Sequence, residues 1–147
     1  MDTDGLQQLD LHGQTLRDRI DYWGDQLRPK EDDHLQIVFQ NINRFPRYPN
    51  DVKNESLREF IKGTQADIMG MAEMGIFWPW IPTQERLWER TRGWFESQKT
   101  IAAYNKCEEK PPITQWGGTS LWSINKAAHH AFESGIDTYG LGHWAWT

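Results

Sequence analysis

The stretch from Leu35 to Glu73 constrains the fold of this chain more than any other. "LQIVFQ" is rich in Val, Ile and Phe and predicts a strand. "NDVKNESLREFIKGTQ" follows, with Asn50 or Asp51 as an N-cap, Leu57, Phe60 and Ile61 on one apolar face, and Gly63 where a helix should stop. "ADIMGMAE" has the length and apolar character of a second strand. Strands joined by a crossover helix are normally parallel and adjacent, so the carboxyl ends of these two should lie side by side. That arrangement brings Glu73 within reach of Asn41 and Asn43. In open α/β sheets, ligands gather at such strand ends.

The pattern then continues as an α/β (α+β) chain. "TQERLWERTRGWFESQ" sets Leu87, Trp88, Thr91, Trp94 and Phe95 at helical spacing after a capping Thr83. "TIAAYN" and "GGTSLWSI" predict two further strands, "NKAAHHAFESG" a short helix capped by Gly135, and "GHWAWT" an alternating last strand. No internal repeat or low-complexity segment interrupts them.

Residues 1–33 differ. Leu6, Leu9, Leu16, Ile20, Trp23 and Leu27 recur at helical intervals, weakened by Gly13, and "RPKEDDH" then breaks the pattern with a proline and a run of charges. We therefore expect a helical and linker extension over 1–33 and one domain over 34–147. A chain of 147 residues has room for one such domain with a real core. The whole chain's hydrophobic fraction of 37% and mean hydropathy of -0.79 are low for a sheet buried on both faces. Nine Trp, six Phe and four Tyr nevertheless argue for a folded chain.

A net charge of -5 without a basic block gives no electrostatic announcement of nucleic-acid binding. The single cysteine, Cys107, excludes an internal disulfide, and its acidic neighbours disfavour a thiolate nucleophile. No signal-peptide pattern and no apolar run of membrane-spanning length are present, which predicts a soluble, intracellular chain with no membrane partner.

A carboxylate directly after an apolar strand, beside two carboxamides, is a donor set suited to a hard divalent cation such as Mg²⁺. On spacing alone, Asn41 and Asn43 are equally well explained as turn residues, with Glu73 solvated. Other groups have plainer explanations. His129 and His130 point about 100° apart on a helix, which reads as a surface pair rather than a metal site. "GLGHW" lacks the following helix of a phosphate loop. Trp78, Trp80, Trp88, Trp94, Trp116, Trp122, Trp144 and Trp146 could stack on nucleic-acid bases, yet most should simply fill core or interface. "FWPWIP" near Glu73 fits either a groove wall or a structural plug.

In their order, "LQIVFQNIN", "LREFIKGTQADIMGMAEMG" and "QWGGTSLWS" resemble the opening of the endonuclease/exonuclease/phosphatase superfamily, the DNase I-like fold. "QNIN", "GGTS" and "GLGHW" look most like the endonuclease domain that precedes reverse transcriptase in non-LTR retrotransposons. The resemblance spans about residues 35–147. It implies part of an αββα sandwich and Mg²⁺- or Mn²⁺-dependent hydrolysis of DNA phosphodiester bonds. Asn41 would contact the scissile phosphate, Asn43 would lie near the metal, and Glu73 would bind it. Asn41 and Glu73 are thus the implied catalytic pair, with Asn43 and Arg44 beside them at phosphate and substrate. Asp67 matches a structural aspartate, and Gly117 and Gly118 match paired glycines opening a tightly packed strand.

Two departures matter. Arg44 stands where the family usually has glycine, so the turn after the first strand should be built differently. The family's later Asp-x-Asn and Ser-Asp-His are absent, Asp137 being the sole aspartate after Glu73. The expectation is a truncated domain with weak metal binding and inefficient cleavage on its own. The alternative is a non-catalytic remnant that serves as a protein-interaction module. Either way, a sheet face should stand uncovered and favour self-association unless the N-terminal helix covers it.

Overall fold

A computed structural model describes residues 30–106 and 109–147. The helical expectation for Leu6 to Leu27 and the reasoning on Cys107 lie outside the described residues. Strand β1, Ile37–Asn41, runs into helix α1, Val52–Gly63, and returns as β2, Ile68–Ala72. The helix forms where its capping chemistry allows: the Asp51 carboxylate accepts the Lys53 N–H at 2.9 Å, and the Thr64 N–H donates back to the Phe60 carbonyl at 3.0 Å. Leu57 and Ile61, four residues apart, are buried against the sheet core.

Two later strands, β3 at Gln98–Ala103 and β4 at Thr119–Ile124, complete a mixed sheet of order β1-β2-β4-β3. β1 and β2 are parallel, as the crossover helix requires, while β4 runs antiparallel to both β2 and β3. The fold is α+β, and Asp32–Thr147 forms one compact unit.

Alternation gives the sheet two unlike faces. Val38, Met69, Met71 and Trp122 point to one side, where they join Leu57, Ile61, Phe45, Trp78 and Leu87 in the core. Ile37, Phe39, Gly70 and Leu121 point to the other. There Ile37 and Phe39 are 66% and 67% exposed, with Leu35 at 60%. Of the apolar face expected to stand uncovered, the row along β1 is exposed, while Leu121 and Ile101 farther along it are half-buried.

Three predicted elements are corrected. The helix expected over 83–98 is a 3-10 turn at Thr83–Glu85 followed by a short α2, Leu87–Thr91. Arg92 leaves the helical region, with φ -53° and ψ 126°, and Gly93 has a φ of 81°, which turns Trp94 onto the buried Trp122 at a ring separation of 5.8 Å. Packing of the indoles, not helical periodicity, decides that segment.

Helix α3 is confined to Lys126–His130 and ends on an extended Ala131, whose carbonyl accepts from Lys99 Nζ. Gly135 is not its cap. It lies in β5, Gly135–Ile136, under the indole of Trp146, where a Cβ would come within 2.4 Å of the ring nitrogen. "GHWAWT" supplies only β6, Ala145–Trp146, and pairs with β5 in a separate ribbon instead of joining the main sheet. This ribbon packs against β3 and β4. Among the described residues, no helix is long and apolar enough to cross a membrane.

Candidate functional site at the β1 and β2 strand ends

Asn41 closes β1 and stands in register with Ala72, so Glu73 is the first residue beyond its partner on the neighbouring parallel strand. The ladder continues into the loops. The N–H of Ile42 donates to Ala72, that of Arg44 to Glu73 at 2.8 Å, and that of Phe45 to Met74 at 2.8 Å. Ile42 and Phe45 are buried and anchor the turn, which leaves Asn41, Asn43, Arg44 and Glu73 exposed along its rim. Every site residue expected from the sequence thus falls on one strand-end edge.

The turn is strained. Asn43, Arg44 and Glu73 have φ values of 45°, 76° and 56°, in the left-handed region that side chains other than glycine seldom enter. Arg44 therefore takes a backbone conformation that suits glycine. Such strain persists where surrounding contacts over-determine it, and it clusters at functional sites. Two sets of contacts do so here. Asn41 Oδ1 accepts the Asn43 N–H at 2.9 Å. Lys53 Nζ donates to the carbonyls of Ile42, Asn43 and Arg44 at 2.8, 3.1 and 2.5 Å.

Arg90 fastens the far side of the turn. Its guanidinium lies over the rings of Phe45 and Trp78 and donates to the carbonyls of Pro46 and Arg47, while Nε reaches the Glu85 carbonyl at 3.0 Å. Burial lowers its pKa, and the Glu85 carboxylate partly offsets that. Trp78 and Ile81 belong to the core, which makes "FWPWIP" mainly a structural plug with an exposed Trp80.

The Glu73 loop also pairs with the approach to β4. Met74 and Gly75 donate to the carbonyls of Gly118 and Gly117 at 3.0 and 2.8 Å, and Gln115 donates to Gly75 at 3.0 Å. This seats Trp116 beside the turn, with the Arg44 guanidinium carbon 4.9 Å from its ring centroid. Thr119 Oγ1 donates toward the carbonyls of Gly142 and His143, which brings the C-terminal loop to the same edge. Asp67, by contrast, is structural: its buried carboxylate accepts the Gln36 N–H at 2.7 Å at the start of β1. His129 and His130 are exposed.

The residues that sequence reasoning missed are Lys53 and Arg90, which read as ordinary helix-surface charges. Glu73 belongs to no cluster of three or more His, Cys, Asp or Glu side chains among the described residues. The oxygen donors at this edge are therefore the exposed Glu73 carboxylate and the exposed Asn43 carboxamide, the Asn41 Oδ1 being already engaged by the Asn43 N–H. That set fits a Mg²⁺ ion that keeps several waters and takes its remaining ligands from a phosphate. No protein-family model, curated protein or solved structure matches the chain.

Proposed function

We propose that the β1 and β2 strand ends form the first half of a Mg²⁺-dependent phosphodiesterase site of the DNase I-like, retroelement endonuclease kind, acting on DNA. The observation that carries this reading is the parallel register setting Glu73 beside Asn41 on a strained, exposed edge. Glu73 holds the cation, and Asn43 offers a second oxygen. The Oδ1 of Asn41 is engaged by the Asn43 N–H, which leaves its amide hydrogens to donate to a phosphate oxygen. Arg44 supplies the positive charge on the substrate side. Bound Mg²⁺ would neutralise charge on the transferring phosphoryl group and acidify water at neutral pH. With one carboxylate and no general base at the family positions, the expected cleavage is slow.

Relaxation of supercoiled plasmid tests this directly. With Mg²⁺ or Mn²⁺ and excess protein, nicked circles should accumulate over long incubation, and EDTA, Glu73→Ala or Asn41→Ala should prevent it. Nicking that survives Glu73→Ala would overturn the proposal.

A second reading draws on a different observation, the exposed apolar row of Leu35, Ile37 and Phe39 on the edge strand. Such a face suits self-association or a protein partner. Complete inactivity combined with concentration-dependent dimerisation, relieved by Phe39→Lys, would favour this interaction module over the nuclease.

A further inference from the structure

We propose that Trp116 and Arg44 form a shelf that stacks one unpaired nucleobase next to the Glu73 loop. The inference rests on the nucleic-acid substrate proposed above and adds how the strand is held. Trp116 is 74% exposed, the highest value among the exposed tryptophans described. The backbone that carries it is held in place: the Gln115 N–H donates to the Gly75 carbonyl, and the Gly75 N–H donates to the Gly117 carbonyl. The Arg44 guanidinium sits 4.9 Å from the ring centroid.

Gly75 makes the arrangement sterically feasible. A Cβ there would lie 2.9 Å from Arg44 Cγ, so the missing side chain is what lets the Arg44 stem cross the loop toward Trp116. A guanidinium stacked on one face of an indole leaves the opposite face open, and every base presents a matching π-face. The stacked base must come from a single strand or a splayed end, because a paired base buries its faces in the helix. With a net charge of -5 on the chain, affinity should come from stacking more than from phosphate contacts.

The test is fluorescence anisotropy with the full chain and a labelled oligothymidylate of about 12 nucleotides, beside an abasic strand of equal length and charge. EDTA is present throughout, so the proposed metal site plays no part. Trp116→Ala should weaken oligothymidylate binding at least about five-fold, and Trp116→Phe should retain most of it. Neither change should alter binding of the abasic strand. Equal affinity of wild type and Trp116→Ala, an equal loss on both strands, or no binding by the wild type would overturn the shelf.

Circular dichroism checks that Trp116→Ala folds, and Trp116→Phe supplies the comparison if it does not: a total loss of binding in a folded Trp116→Phe protein would also overturn the shelf. Base-dependent binding without plasmid nicking would sink the metal site alone. Nicking without base dependence would sink the shelf alone.

Discussion

The Arg44 N–H donates to the Glu73 carbonyl at 2.8 Å, and both residues have positive φ, at 76° and 56°. The two strand-end loops are thus zipped together through their least comfortable residues. Arg44→Gly should relieve a left-handed penalty of roughly 1–2 kcal/mol, offset by greater freedom of the unfolded chain and the loss of the Trp116 contact. Urea denaturation should therefore move by no more than about 1 kcal/mol in either direction. A loss of about 3 kcal/mol would show that Arg44 is a structural keystone instead.

Lys53 is expected to matter more for folding than its place on a helix surface suggests. Its ammonium group is shared among three carbonyls of the turn. Lys53→Met should cost about 1–2 kcal/mol, after allowing for partial solvation of those groups. Hydrogen exchange at Arg44 and Phe45 should accelerate in the same variant, and unchanged exchange would argue that the turn holds without it.

Arg90→Met should be the most destabilising of these changes, at about 2–4 kcal/mol, because it leaves the Pro46, Arg47 and Glu85 carbonyls without their donor. An arginine stays protonated even when burial lowers its pKa, so the loss should be the same from about pH 5 to pH 9. Thermal melts of both proteins across that range provide the check.

Asp137 gives the C-terminal loop an acid-sensitive anchor. Its carboxylate accepts the N–H groups of Tyr139, Leu141 and His143 at 2.8, 3.1 and 3.2 Å. Burial pushes the carboxyl up, but those N–H groups and the His143 charge outweigh it, and the net direction is below the ordinary carboxylate range. A depressed folded value means that the stabilisation is present above the unfolded value of about 3.9 and is lost as the pH falls through the folded one. Stability measured below about pH 4 should accordingly fall less steeply in Asp137→Asn than in the wild type.

Much of the β1-α1-β2 unit was legible because each signal there is local. Asp51 caps, Leu57 and Ile61 keep helical spacing, and the helix stops at Gly63, with Thr64 as its C-cap. The crossover rule then places Asn41 beside Glu73 without any further information. The later helices were overestimated because Trp94, Gly135 and Trp146 are positioned by contacts distant in sequence, to which periodicity is blind. The strain at Arg44 and Glu73 left no mark in composition, since neither residue favours positive φ. The role of Arg90 was hidden for a related reason: its partners Pro46 and Arg47 lie more than 40 residues away.

The proposed divalent-cation site lies at the edge that carries Glu73 and Asn43, beside Asn41. Paramagnetic broadening by Mn²⁺ in amide NMR spectra tests it without relying on turnover. At low Mn²⁺, the signals of Asn41, Asn43, Arg44 and Glu73 should broaden first, and excess Mg²⁺ or the Glu73→Gln substitution should restore them. Broadening that spares these four residues, or that persists unchanged in Glu73→Gln, would contradict a cation site at this edge.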